Sequence, residues 1–287
     1  MIVKASGITD VGLKREGNED FFSTDDSSGL YIVADGMGGH LAGEVASRIA
    51  VEMINKSYRK WVEEKTPENE IFGSHDSSLS TEGNYILGSI KLANRVVYEM
   101  AKEYKQYHGM GTTVVIVLVT PTRIIAANVG DSRIYMVRGG EIEMLSKDHT
   151  IVSEQVEMEM MTEEEAATSP LRHVLTRNLG SADNVEPDIF EIAQADNDYY
   201  ILCSDGLTDL VSDEEILEMA QIEAEPANLC RQFVDKVLKR GAHDNTTIVT
   251  ITISGMAKPR EGPIKRILIL LADLIIGIQK IIKKIKP

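Results

Sequence analysis

Cysteine is almost missing from this chain of 287 residues: Cys203 and Cys230 are the only two. Two thiols cannot build a disulfide framework or a thiolate zinc cluster. Each sits among apolar neighbours, as a small core residue does. Histidine is sparse too. His40, His75, His108, His149, His173 and His243 include no pair four residues apart, so the two-histidine face of a helical zinc site is absent. Basic residues are outnumbered, 30 against 45 acidic, for a net charge of −15. A surface of that sign repels phosphate backbones, which excludes general nucleic-acid binding. The first residues, Met1–Ser6, hold no apolar run of the kind a secretory signal needs. A reducing, cytoplasmic compartment is therefore expected. What remains is an ordinary globular composition, 43% hydrophobic and 26% charged, with length for one large domain or two small ones.

The charge is unevenly distributed. Residues 258–287 carry eight basic and two acidic side chains, a balance of +6, whereas residues 1–257 carry a balance of −21. The chain reads as an acidic body, 1–255, a linker at 256–263, and a basic tail at 264–287. In the tail, Ile264, Ile267, Leu268, Leu271, Leu274, Ile275, Ile278, Ile282 and Ile285 recur at helical spacing, bracketed by Lys265-Arg266 and Lys280, Lys283, Lys284 and Lys286. Its uncharged stretch is broken by Asp273, and a membrane span needs about 20 apolar residues. The tail is read as an amphipathic helix lying on an anionic lipid surface. A helix docked on protein is the second reading and a short span the third.

In the body, Ile2–Thr9 and Leu30–Ala34 have strand composition. From about Gly39 to Glu63 the apolar positions Val45, Ala46, Ile49, Ala50, Met53 and Ile54 repeat with a period of 3.6 and predict a long amphipathic helix. Residues 65–84 read as a polar loop. A second helix follows, with Ile86, Ile90, Ala93, Val97, Met100 and Tyr104 facing inward. Thr112–Thr120, Arg123–Val129 and Ser132–Val137 are closely spaced β-branched runs, which favours antiparallel strands. Residues 151–170 hold six glutamates and no basic residue, and Thr162-Glu163-Glu164-Glu165 matches a capping box. Strands at Ile189–Ile192, Tyr199–Cys203 and Thr246–Ile253 enclose helices near Ser212–Ala220 and Ala227–Lys239. Segregated strand and helix runs predict an α+β fold with antiparallel sheets and helices packed outside.

Among 45 acids, position separates the interesting few. Apolar strands run directly into Asp35-Gly36, Asp131-Ser132 and Asp205-Gly206; Asp244 precedes the last strand, and Glu19-Asp20 precede Phe21-Phe22. Such aspartates emerge at strand ends, and glycine beside them lets the backbone approach a ligand. Converging carboxylates repel unless cations neutralise them. An all-oxygen set without cysteine or histidine suits hard ions, Mg²⁺ or Mn²⁺. Two such ions about 4 Å apart can activate a bridging water for in-line attack on phosphorus. Arg15, four residues before Glu19, has the forked guanidinium that grips phosphate oxygens. A nucleotide cradle at Asp35-Gly36-Met37-Gly38-Gly39 is the competing reading, but no lysine follows in P-loop spacing.

The ordered set Arg15-x-x-x-Glu19-Asp20, Val33-Ala34-Asp35-Gly36-Met37-Gly38-Gly39-His40, Gly111-Thr112-Thr113, Asn128-Val129-Gly130-Asp131-Ser132-Arg133, Ser204-Asp205-Gly206-Leu207 and His243-Asp244-Asn245 resembles the bacterial type 2C (PPM family) metal-dependent serine/threonine protein phosphatases. The resemblance spans about residues 3–254. It implies a four-layer αββα sandwich of two antiparallel sheets flanked by helices. It implies hydrolysis of phosphoserine and phosphothreonine in proteins by a water bridging two Mn²⁺ or Mg²⁺ ions, acting as a monomer and counteracting a Ser/Thr kinase. Asp35 would bridge the two ions and the Gly36 carbonyl would bind one. Asp205 and Asp244 would ligate the other, and Glu19 and Asp20 would act mainly through bound waters. Asp131 with Asp205 matches a third cation site, Arg15 the phosphate-binding arginine, and residues 150–170 the flap beside the site. Two positions depart from the family pattern. Met37 stands where many eukaryotic members have histidine, and Met160 where glycine is common.

Overall fold

The computed structural model describes residues 1–39 and 41–255, so the linker, the tail helix and His40 lie outside the described residues. Met1–Gly255 forms one compact unit. Its strands are β1 (Ile2–Asp10), β2 (Phe21–Asp25), β3 (Leu30–Ala34), β4 (Gly36–Met37), β5 (Gly111–Thr112), β6 (Val114–Val119), β7 (Ile124–Val129), β8 (Arg133–Arg138), β9 (Glu141–Met144), β10 (Asp188–Ile192), β11 (Tyr199–Cys203) and β12 (Thr246–Ser254). They make two five-stranded antiparallel sheets, ordered β1-β12-β11-β8-β9 and β10-β7-β6-β3-β2, with β4 and β5 paired in a short ribbon. The helices are α1 (Leu41–Glu64), α2 (Thr81–Glu103), α3 (Ile151–Glu157), α4 (Glu163–Thr168), α5 (Asp205–Thr208), α6 (Asp213–Ile222) and α7 (Pro226–Lys239).

The expected four layers are present, and the alternation of strand side chains explains them. In β3 and β6, Leu30, Ile32, Ala34, Val114, Ile116 and Leu118 face α1 and α2, where Ala46, Ala50, Ile54, Ile86, Ile90 and Val97 complete one core. The intervening Tyr31, Val33, Val115 and Val117 are just as deeply buried and turn the other way, toward the second sheet. On that sheet Tyr135, Ile201, Cys203 and Ile248 pack beneath Leu207, Ile216, Leu229, Phe233 and Val237 of α5–α7. Strands covered on both faces read as continuous apolar runs rather than alternating ones. Fully burying one such aliphatic side chain stabilises by about 1.5–3 kcal/mol. Both cysteines are free and buried in this architecture.

Three local expectations shift. The polar loop ends early, because the Ser80 side chain accepts the Gly83 N–H and caps α2 there. Tyr104 does not continue the buried face: it is the C-cap of α2 and is exposed. Asp205 does not end a strand but opens α5. The capping box at Thr162 and Glu165 forms as expected.

Candidate metal centre

The carboxylates meet at one end of the sandwich, where β3, β7 and β11 finish and β2 and β12 begin. Asp35 is held through its backbone. Its N–H donates to Thr113 Oγ1 at 3.0 Å, and its carbonyl accepts the Thr113 N–H at 2.8 Å and the Thr112 hydroxyl at 2.8 Å. Thr113 Oγ1 in turn lies 2.7 Å from Ser132 Oγ, which ties the Asp35 turn to the turn carrying Asp131. These contacts explain why Gly111-Thr112-Thr113 travels with the aspartates.

Gly36 is required by close approach. A Cβ there would stand 2.2 Å from the Gly43 carbonyl oxygen and 2.5 Å from that of Glu19. The bare backbone lets the Gly36 N–H donate to the Glu19 carbonyl at 3.1 Å, which also accepts the Ser47 hydroxyl at 2.6 Å. Asn245 holds the same loop from the other side. Its Oδ1 accepts the Glu19 N–H at 2.9 Å, and its Nδ2 donates to the carbonyls of Val11 and Gly17, each at 3.0 Å.

Asp20 is buried. One carboxylate oxygen accepts the Ser204 hydroxyl at 2.8 Å; the other, Oδ1, has no hydrogen-bond partner, and neither has Asp205 Oδ1. Burying charge without a partner is costly, and the carboxyl groups register that cost. Burial, with the charges of Asp205 and Asp244, raises Asp20 to about 7. Burial and the nearby Asp205 and Asp148 raise Asp131 to about 7. Asp35 is raised well above the usual carboxylate range by burial and by Asp20, Asp205, Asp131 and Asp244. Burial also pushes Asp205 up, but His173 and a hydrogen bond shared with Asp35 outweigh it and lower the group overall. Crowding and burial thus raise the proton affinity of Asp20, Asp35 and Asp131 when no cation neutralises them.

Arg15, in the connection between β1 and β2, reaches into this cluster. Its Nη2 donates to Asp244 Oδ2 at 2.7 Å, with half of the guanidinium side chain exposed. That bond is the main reason its pKa is raised, and Glu19 and Asp35 add to it. Asp244 is oriented further by the Asn245 N–H, which donates to its Oδ1 at 2.8 Å.

One participant carried no local signal in the sequence. His173 stands alone between Arg172 and Val174, yet its Nδ1 lies 3.4 Å from Asp205 Oδ2 and its Nε2 3.4 Å from Asp209 Oδ2. Asp131, His173 and Asp205 each offer a ligand atom, all within 4.8 Å of one another. His243 Nε2 joins the same Asp209 oxygen at 3.1 Å. All eight residues singled out in the sequence, Arg15, Glu19, Asp20, Asp35, Gly36, Asp131, Asp205 and Asp244, thus occupy this one end of the sandwich. The buried, unpartnered oxygens of Asp20 and Asp205, with Asp35 and Asp131 beside them, form an oxygen-rich set that divalent cations fit.

Comparison with known proteins agrees with that geometry. The family described as protein phosphatase 2C matches residues 8–246. The chain belongs to that family. A protein phosphatase 2C-type protein of Streptococcus pyogenes is 36% identical over 252 residues, covering 87% of this chain and 97% of the relative. The serine/threonine phosphatase of S. agalactiae superposes with a TM-score of 0.77 at 35% identity, covering 88% of this chain and 100% of that one. The catalytic domain of the phosphatase PstP, in complex with two manganese ions, superposes with a TM-score of 0.71 at 31% identity, covering 88% of this chain and 99% of that one. In this phosphatase 2C chain Gly36, Thr112 and Thr113 hold the turn from which Asp35 projects.

Proposed function

We propose that the acidic end of the sandwich is the metal centre of a protein serine/threonine phosphatase, with Asp35 bridging two divalent cations. The chain is a phosphatase of the 2C family and dephosphorylates serine and threonine in proteins. The observation that carries the site reading is the pair of buried carboxylate oxygens that lack partners, Asp20 Oδ1 and Asp205 Oδ1, beside an Asp35 whose proton affinity burial and the neighbouring carboxylates raise. Asp35, the Gly36 carbonyl, Asp205 and Asp244 would hold the ions, Glu19 and Asp20 would support them mainly through water, and Asp131 with Asp205 would hold a third. Mn²⁺ or Mg²⁺ fits the all-oxygen donor set, and PstP, 31% identical, has been described with two manganese ions. When bound, the cations neutralise the cluster and make a water nucleophilic toward phosphorus at neutral pH.

The chain's own residues do the rest. Arg15 exchanges one oxygen partner for another: released from Asp244, its guanidinium takes two phosphate oxygens in a fork and fixes the phosphorus for in-line attack. Asn245 and Ser47 keep the Glu19-Asp20 loop from following that movement. The stretch 150–170 is the flap beside the site, and its exposed Met158 and Met160 face incoming protein. The phosphatase acts as a monomer and opposes a Ser/Thr kinase. The tail at 264–287, with its helical apolar spacing and basic flanks, holds it at the inner membrane surface by lying on anionic lipid. No helix among the described residues is long and apolar enough to cross a membrane.

The test is hydrolysis of an aryl phosphate and of a phosphothreonine peptide. Activity must require Mn²⁺ or Mg²⁺ and be lost in Asp35→Asn and Asp205→Asn. Full activity in excess chelator overturns the metal reading. For the tail, deletion of 258–287 must release the protein from anionic vesicles.

A further inference from the structure

His149 takes no part in the constellation above, yet it is completely buried and grips the residue next to Asp131 at both ends. Its backbone N–H donates to the Gly130 carbonyl at 2.9 Å, and its ring Nδ1 accepts the Gly130 N–H at 3.1 Å. Gly130 can meet it only as glycine: φ is +109°, and a Cβ would stand 2.6 Å from the Thr113 side chain. An Nδ1 that accepts leaves the ring proton on Nε2, and Nε2 faces Asp188 Oδ2 at 3.3 Å. Asp188 is itself held by Arg177 at 3.0 Å. At that distance Nε2 makes no aligned hydrogen bond to Asp188, so the carboxylate acts on the ring only electrostatically; the ring is fixed by the Gly130 N–H on Nδ1 and acts on backbone rather than on a cation.

The segment around it is pinned as well. Asp148 accepts three hydrogen bonds from the Arg133 fork, two from Nε and one from Nη2, the shortest 2.7 Å. The Lys147 carbonyl accepts Asn128 Nδ2 at 2.8 Å. The His149 carbonyl accepts the Thr176 N–H at 2.8 Å, and the Ile151 N–H donates to the Val174 carbonyl at 2.9 Å. One residue therefore joins the root of the flap, both of whose limbs close here, to the turn that presents Asp131.

We infer that His149 is a positioning residue for Asp131: by accepting the Gly130 N–H it sets the angle at which Asp131 meets Asp205, and so the affinity of the cation position between them. This rests on the reading of Asp131 as a cation ligand. Asparagine and glutamine separate the role from mere filling of space. Asparagine places its amide oxygen where Nδ1 stands, whereas glutamine places its polar group where Nε2 stands and leaves the Gly130 N–H without an acceptor.

The experiment is calorimetric Mn²⁺ titration of the full chain. The wild type must show a class of sites that Asp131→Ala removes. His149→Gln must weaken that class about tenfold, while His149→Asn stays within about threefold. In the Asp131→Ala background His149→Gln must add nothing, since coupled sites are not additive. Equal losses in the two amide variants, or none in His149→Gln, overturn the inference. If Asp131→Ala removes no class while Asp35→Asn still abolishes uptake, the cation reading of Asp131 fails and this inference with it, leaving the binuclear centre intact. Should the glutamine variant not fold, side-chain ¹⁵N spectra of the wild type decide: a proton on Nδ1 of His149 overturns the proposal, and a proton on Nε2 with Nδ1 accepting supports it.

Discussion

The two walls of the active end are built on opposite principles. The Asp35 wall grows out of β3, whose five residues are all fully buried, and its backbone groups are consumed by Thr112 and Thr113. The flap wall consists of α3, with Val152 as its buried residue, and α4, which buries none. Met158 and Met160 are 65% and 72% exposed. One wall cannot move without breaking the core; the other is held mainly where its limbs close near Ile151 and Val174. The proposed cation ligand Asp35 thus projects from the well-buried wall, and the segment proposed to meet protein substrates is the sparsely buried one. Elements with few buried contacts open at low cost, and catalytic geometry tolerates little displacement.

The largest effect should come from breaking the rigid wall at its charge. Asp35→Asn keeps the shape and removes the bridging carboxylate, so kcat on an aryl phosphate should fall at least about 10³-fold, or about 4 kcal/mol. Circular dichroism should be unchanged. A loss below tenfold would mean that Asp35 does not bridge the cations. Asn245→Ala attacks the same wall through its scaffold. It leaves the N–H of Glu19 and the carbonyls of Val11 and Gly17 without their partner, at about 1–3 kcal/mol for such a loss. The melting temperature should fall by about 5 °C and kcat by about tenfold or more; a drop in stability with kcat intact would separate scaffold from site.

Metal removal sharpens the comparison through pH. Asp20 and Asp131 sit at about 7 in the folded protein, and Asp35 is raised as well, against about 4 in an unfolded chain. Between about pH 4 and 7 the metal-free native state therefore binds more protons than the unfolded state, and stability falls as pH rises through that window. Chelated protein should melt higher at pH 5.5 than at pH 7.5. Added Mn²⁺ should raise the melting temperature more at the higher pH, because the cation competes with those protons. Equal shifts at both pH values would contradict the carboxylates as the binding groups. Asp25, which the hydroxyls of Ser27 and Ser28 and the Arg59 guanidinium hold near 2 against its burial, does not contribute in this window.

The sandwich was legible because both sheets are covered on both faces. Apolar runs such as Val114–Val119 and Ile124–Val129 then stand out without any need to choose a face. The residues that converge at this end of the sandwich were legible because strand ends and glycines mark them along the chain. Asn245, Ser204 and His173 were not, because their roles depend on what the fold brings opposite them. His173 lies 32 positions from Asp205 in the chain and meets it only through the closure of the flap. His149 looked like one more scattered histidine, because its partner is a backbone amide and leaves no residue type to notice. Tyr104 misled for a related reason: the helical period ran on past the point where α2 ends.

The smallest effect should come from the mobile wall. Met158→Ser and Met160→Ser remove exposed side chains that lie outside both cores, so stability should change by no more than about 0.5 kcal/mol. Hydrolysis of a small aryl phosphate engages Arg15 and the cations alone, and its kcat/KM should stay within about twofold. KM for phosphothreonine peptides should move by about threefold or more, since their flanking residues must pass the flap; an apolar contact of that size is worth about 1 kcal/mol. If both substrates respond equally, the flap shapes the metal centre rather than the approach of protein. The division between the two walls would then have to be redrawn at His149, where the flap and the Asp131 turn share a residue.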